Sequence, residues 1–157
     1  MSLTKILSRG ISTLPAGSVL QVVNVTYSTN VTSSSSTFAD TGLTASITPS
    51  SASNKVLVFV NCNGVDKFSG NTGSAFKLVR GATNIHNIES VGSYTNNSDE
   101  NAIGSVSTCY LDSPSTTSST TYKITFSNFN NTGFVAINGN SVGGGTVSTM
   151  LLMEIAG

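Results

Sequence analysis

The side chains able to do chemistry are few and far apart. His86 is the sole histidine, so it offers one general base and rules out a site built from several imidazoles. Four acids, Asp40, Asp66, Glu89 and Asp112, are scattered singly, which does not mark the paired carboxylates that glycoside cleavage needs. Asp99 and Glu100 are adjacent and offer oxygen ligands to calcium, but they lack the spaced acids of a dedicated loop and read better as solvated carboxylates. Gly143-Gly144-Gly145 has neither a following Lys-Ser/Thr nor a strand–helix unit around it, so it is no phosphate cradle. Cys62 and Cys109 lack CxxC spacing and lie in apolar runs, where a free cysteine packs as a small hydrophobe; a cross-strand disulfide is the alternative. No catalytic residue, cofactor or metal ligand is therefore assigned, and the chain is expected not to be an enzyme.

Recognition residues stand out better. Phe68 and Tyr94 fall in tracts rich in Ser, Asn and Gly that read as loops. An aromatic there stacks on a sugar or anchors a protein partner, or else folds back onto the sheet. At the other extreme, Leu3, Ile6 and Leu7 form one short helical stripe, too short to be stable alone. Residues 1–17 are either a frayed terminus or an attachment peptide that orders on docking. Four Asn-x-Ser/Thr matches, at Asn24, Asn30, Asn96 and Asn130, are no more than chance supplies in so Ser/Thr-rich a chain.

The elements that must position these residues are strands. Short runs of Val, Ile, Leu and Phe alternate with Ser/Thr/Asn/Gly tracts, the pattern of half-buried strands bounded by turns. Runs begin at Ser18, Thr37, Lys55, Ser74, Ile85, Ala102, Thr120, Phe134 and Val147. In the strongest, Val56, Val58, Val60 and Cys62 share one face while Leu57 and Phe59 occupy the other, the mark of a central strand covered on both sides, the second side by a sister subunit. Tyr122, Ile124 and Phe126 point inward from another, and Met150 and Met153 lie on opposite faces of the last. Residues 63–73, 91–101 and 139–146 read as long loops. About eight strands in one domain, residues 18–157, predict an all-β antiparallel sandwich of jelly-roll type behind the extension.

Composition narrows the function. Charged residues make up 9% of the 157, against roughly 25% in soluble domains, and seven bases balance seven acids. With no basic cluster to neutralise phosphates, nucleic-acid binding is not expected. A nearly uncharged surface offers little repulsion against self-association. No apolar stretch is long enough to span a bilayer as a helix, and the first ten residues lack the apolar core of a secretory signal, so synthesis in a cytoplasm is expected.

Several segments, taken in order, resemble small β-rich proteins and C-terminal domains of marine tailed phages, including cyanophages, encoded beside tail-fibre genes. They are Pro15-Ala-Gly-Ser-Val-Leu-Gln-Val-Val23, Ile47-Thr-Pro-Ser-Ser-Ala-Ser-Asn-Lys-Val-Leu-Val58 and Phe76-Lys-Leu-Val-Arg-Gly-Ala-Thr83. Thr121-Tyr-Lys-Ile-Thr-Phe126 and Val147-Ser-Thr-Met-Leu-Leu-Met-Glu-Ile155 complete the set. These are strand and turn patterns rather than catalytic motifs. The resemblance implies a virion component, a homotrimeric sandwich displayed on the particle, although the chain has no shaft repeats or coiled-coil heptads of a long fibre.

Three functions follow as expectations. The first is a fibre or spike module that contacts a host-surface glycan or protein. The second is a capsid decoration or head-fibre protein held to other virion proteins by residues 1–17. The third is a carbohydrate-binding domain of a secreted protein.

Overall fold

The computed structural model describes residues 14–96, 101–130, 133–139 and 145–157. Leu3, Ile6, Leu7, Asp99 and Glu100 lie outside the described residues, as do Gly143 and Gly144.

Ten strands are present among the described residues: β1 (Val19–Tyr27), β2 (Val31–Ser33), β3 (Ala39–Ile47), β4 (Lys55–Lys67), β5 (Thr72–Arg80), β6 (Thr83–Thr95), β7 (Asn101–Asp112), β8 (Thr120–Asn128), β9 (Val135–Ile137) and β10 (Ser148–Ile155). They form two antiparallel sheets packed face to face. In the first, β1, β10 and β4 are successive neighbours, β7 pairs the far edge of β4, and short β9 and β2 extend the sheet beyond β10. The second runs β3, β8, β5, β6. The antiparallel sandwich expected from the alternating runs is present. Its division into six and four strands does not by itself establish jelly-roll order within it.

The core forms where one face of each sheet meets the other. Val56, Val58, Val60 and Cys62 of β4 are buried, with Met150 and Leu152 of β10 beside them. Opposite stand Leu43, Ala45 and Ile47 of β3, Phe76 and Leu78 of β5, and Tyr122, Ile124 and Phe126 of β8. The period-two pattern sets the sides: residues two apart share a face, so these alternating positions all turn toward the opposite sheet. Phe38 stays outside this core. It lies just outside β3, half-buried beneath the Lys77 ammonium 3.7 Å from its ring centroid. Thr41 is buried near the start of β3, its hydroxyl donating to the Ile124 carbonyl at 2.9 Å.

Two of the tracts read as loops are in large part strand. β4 runs on to Lys67, and β6 on to Thr95, so Tyr94 is a strand residue. Backbone pairing does not depend on apolar side chains, and the Asn- and Gly-rich ends of both strands find partners in β7 and β5. β4 achieves this through register shifts on either side of Val65, next to Gly64 at φ 58°. Beyond them Asp66 and Lys67 are buried at 2% and 0% exposure rather than solvated. Asp66 accepts from the Lys67 amide at 3.0 Å, and Lys67 Nζ donates to the Ser69 carbonyl at 3.1 Å.

The ends of the described chain are tied together. Gly17 N donates to the Ala156 carbonyl at 2.8 Å and Ala156 N to the Ser18 carbonyl at 2.9 Å, so residues 14–18 enter at the Lys55 end of β4.

Candidate functional site

Four aromatic rings gather at the opposite end of the sandwich. Phe68 follows β4 directly, its amide donating to the Phe134 carbonyl at 3.0 Å, and the two rings stack with centroids 4.5 Å apart. Tyr94, near the end of β6, meets Phe129 edge-on at 6.1 Å. Phe129, Phe134 and Tyr94 all keep more than two-fifths of their surface exposed (46%, 43% and 44%). The structure thus brings both sequence candidates, Phe68 and Tyr94, to one rim and adds Phe129 and Phe134. Those two were missed although the signal existed: Phe129 is flanked by Asn128 and Asn130, the same polar setting that marks the other pair.

Asparagine side chains fix this rim. Tyr94 donates its hydroxyl to Asn71 Oδ1 at 3.0 Å, and Asn130 Nδ2 donates to the Asn71 carbonyl. Asn128 Nδ2 bonds the Gly133 carbonyl at 3.1 Å, while its Oδ1 accepts from the Asn130 amide at 3.0 Å. Asn71 holds a left-handed φ of 54°, a conformation asparagine tolerates better than most residues. Exposed rings set among amides provide flat apolar platforms beside donors and acceptors, the chemistry that meets a sugar ring or a polar protein surface.

A second surface is the outer face of the six-stranded sheet. Register places Val22, Met153, Leu57 and Leu111 in one row across β1, β10, β4 and β7, and Asn24, Leu151, Phe59 and Cys109 in the next. Val22, Phe59 and Leu111 are exposed at 55%, 40% and 48%. A shallow depression of about 730 Å³ runs along Phe59, Cys109, Leu151 and Met153. Leu57 and Phe59 therefore do occupy a second apolar face of a central strand, but within this chain nothing described packs over it. Cys109 belongs to this open face and not to the core, because β7 directs odd-numbered residues outward from Ser105 to Leu111. Both cysteines are free, which removes the disulfide alternative for this state of the chain. Burial pushes the Cys62 thiol up to about 12.

The described acids stand in separate structural networks. Asp40 pairs with Lys123 at 2.8 Å on the surface, and Glu89 Oε1 accepts from the Ser90 and Val91 amides. Asp112 binds Arg80 and Tyr122, and buried Glu154 binds Ser50, Asn54 and Gln21. His86 stacks on Tyr110 with centroids 4.9 Å apart, bridging β6 to β7. Among the described residues no three His, Cys, Asp or Glu side chains are close enough to hold one metal ion, and no helix is long and apolar enough to cross a membrane.

Compared with known proteins, the chain matches no family model and no curated sequence.

Proposed function

We propose that this protein is a structural module displayed on a bacteriophage particle, contacting the host through the aromatic rim of its sandwich. The observation that carries the proposal is polarity. Residues 14–18 join the sandwich at the Lys55 end of β4, while Phe68, Phe129, Phe134 and Tyr94 cluster past its Lys67 end. Thirteen residues of β4 at the usual rise hold the two ends roughly 40 Å apart. A module attached through its N-terminal extension then presents the rim outward, to a host-surface glycan or protein. The resemblance of the strand motifs to tailed-phage virion proteins supplies the particle.

The N-terminal attachment serves equally in a capsid decoration protein, and the two versions differ only in where the module sits. Immunogold labelling of intact virions tests both. Gold at the tail or its fibres supports host contact, and gold over the heads selects capsid decoration. Unlabelled particles beside accessible antigen in the lysate overturn the virion reading and favour a free carbohydrate-binding protein.

A further inference from the structure

We infer that the outer face of the six-stranded sheet is an isologous interface with a second copy of this chain, the two sheets packing face to face about a two-fold axis.

Three observations point to a copy of the chain as the occupant. The first is electrical. Across the rows from Val22 to Leu111 and from Asn24 to Cys109 no side chain is charged. A charged partner finds nothing to pair with there, whereas a copy meets no repulsion.

The second is shape. Phe59, 40% exposed, forms one wall of the depression that Cys109, Leu151 and Met153 also line. A two-fold axis through the patch sets each Phe59 into its partner's depression, the reciprocal contact that an isologous interface requires. The row of Val22, Met153, Leu57 and Leu111 closes against its counterpart beside that centre.

The third is size. Four strands at ordinary spacing and the eight residues of β10 span about 19 by 27 Å, on the order of 500 Å² per copy and roughly 1,000 Å² for a pair. That reaches the lower bound of specific association. That span includes two further rows, Val19, Ile155 and Lys55 at one end and Thr26, Thr149, Asn61 and Ser107 at the other, which rim the apolar centre.

This pairing is independent of the virion assignment, since it concerns the purified chain. It predicts two copies, where the resemblance to phage proteins implies three.

Light scattering coupled to size-exclusion chromatography, run over a dilution series, decides it. The expected mass is twice the 16.1 kDa of the chain, falling to one copy on dilution and in Phe59→Glu. Cys109 provides a second readout that does not depend on how well that variant folds. Its alkylation in the wild-type chain slows as protein concentration rises, and a bulky adduct at Cys109 holds the protein monomeric. A monomer at every concentration overturns the inference, as does a three-copy mass. So does an oligomer that Phe59→Glu and the Cys109 adduct both leave intact, or a Cys109 reactivity that ignores concentration.

Discussion

Tyr122 donates its hydroxyl to Asp112 Oδ2 at 2.6 Å, joining β8 of one sheet to the end of β7 in the other. Arg80 of β5 reaches the same carboxylate, with Nη1 at 2.9 and 2.8 Å from its two oxygens. Asp112 is 6% exposed and Tyr122 fully buried, so this contact operates in a dry setting. Burial first, and then the neighbouring Asp112, push the phenol's pKa well up, which keeps Tyr122 a donor at any physiological pH. Tyr122→Phe is expected to destabilise the fold by about 1.5–3 kcal/mol, as for a lost hydrogen bond to a charged group. Urea unfolding measures it, and a double-mutant cycle with Arg80→Ala separates the two halves of the network.

Glu154 sets an acid limit. It is buried at 1% exposure, which raises its pKa, yet donors from Asn54, Gln21 and Ser50 more than offset this and hold the carboxyl at about 2 against an ordinary 4.5. A carboxyl depressed by folding contributes stability that is complete above the unfolded value and lost as pH falls through the folded one. The window here is pH 4.5 down to about 2, and a shift of this size corresponds to about 3 kcal/mol. Glu154→Gln should lower stability at neutral pH, and the wild-type minus variant difference should shrink as pH falls across that window. Chemical denaturation at a series of pH values reads both effects.

Adjacent residues of β10 should differ sharply. Leu152 is fully buried between the sheets, whereas Leu151 lies half-buried on the outer face. Leu152→Ala is expected to cost about 2–5 kcal/mol through lost burial and the cavity left behind. Leu151→Ala should cost under about 1 kcal/mol in dilute, monomeric protein. Thermal and urea melts at low concentration compare them.

Gly64 marks the kink that lets β4 continue. Its φ is 58°, and a Cβ there would stand 2.7 Å from the Gly139 amide nitrogen, which itself donates to the Gly64 carbonyl at 2.9 Å. Gly64→Ala combines a left-handed backbone penalty with that overlap, and is expected to lose roughly 2 kcal/mol or more. A lowered urea midpoint with an unchanged slope would confirm a native-state effect.

The rim makes a prediction about recognition alone. Phe129→Ala and Phe134→Ala remove exposed rings, so melting temperature should move little while binding to host cells or cell-surface glycan weakens at least about ten-fold for a stacking contact. Pull-down of labelled protein on host cells measures the second quantity, and unaltered binding in both variants would remove the rim from the contact surface.

The clean alternations were the legible part. Val56-to-Cys62 and Tyr122-to-Phe126 face the core as their period demands, and Met150 and Met153 do point to opposite sides. Pattern reading failed where polar side chains are paired by backbone. The β4 extension through Asp66 and Lys67 carries no alternation to detect, because a bulge resets which face each residue takes. The three-residue strand β2 falls below any periodic signal, although its partner β9 was visible as the apolar run from Phe134. The same limit hid the rim: Phe68 and Tyr94 were visible as aromatics in polar tracts, but their convergence with Phe134 and Phe129 depends on pairings tens of residues apart in sequence.

The position of β10 has a bearing on how the molecule comes into being. Made last of the ten strands, it lies between β1, made first, and β4. During synthesis β1 therefore waits, its edge open, while more than a hundred residues follow it from the ribosome, and the larger sheet closes only when β10 slides into the gap. Such a first-to-last pairing makes for slow folding, and it makes the growing chain most exposed to strand exchange with its neighbours until β10 arrives.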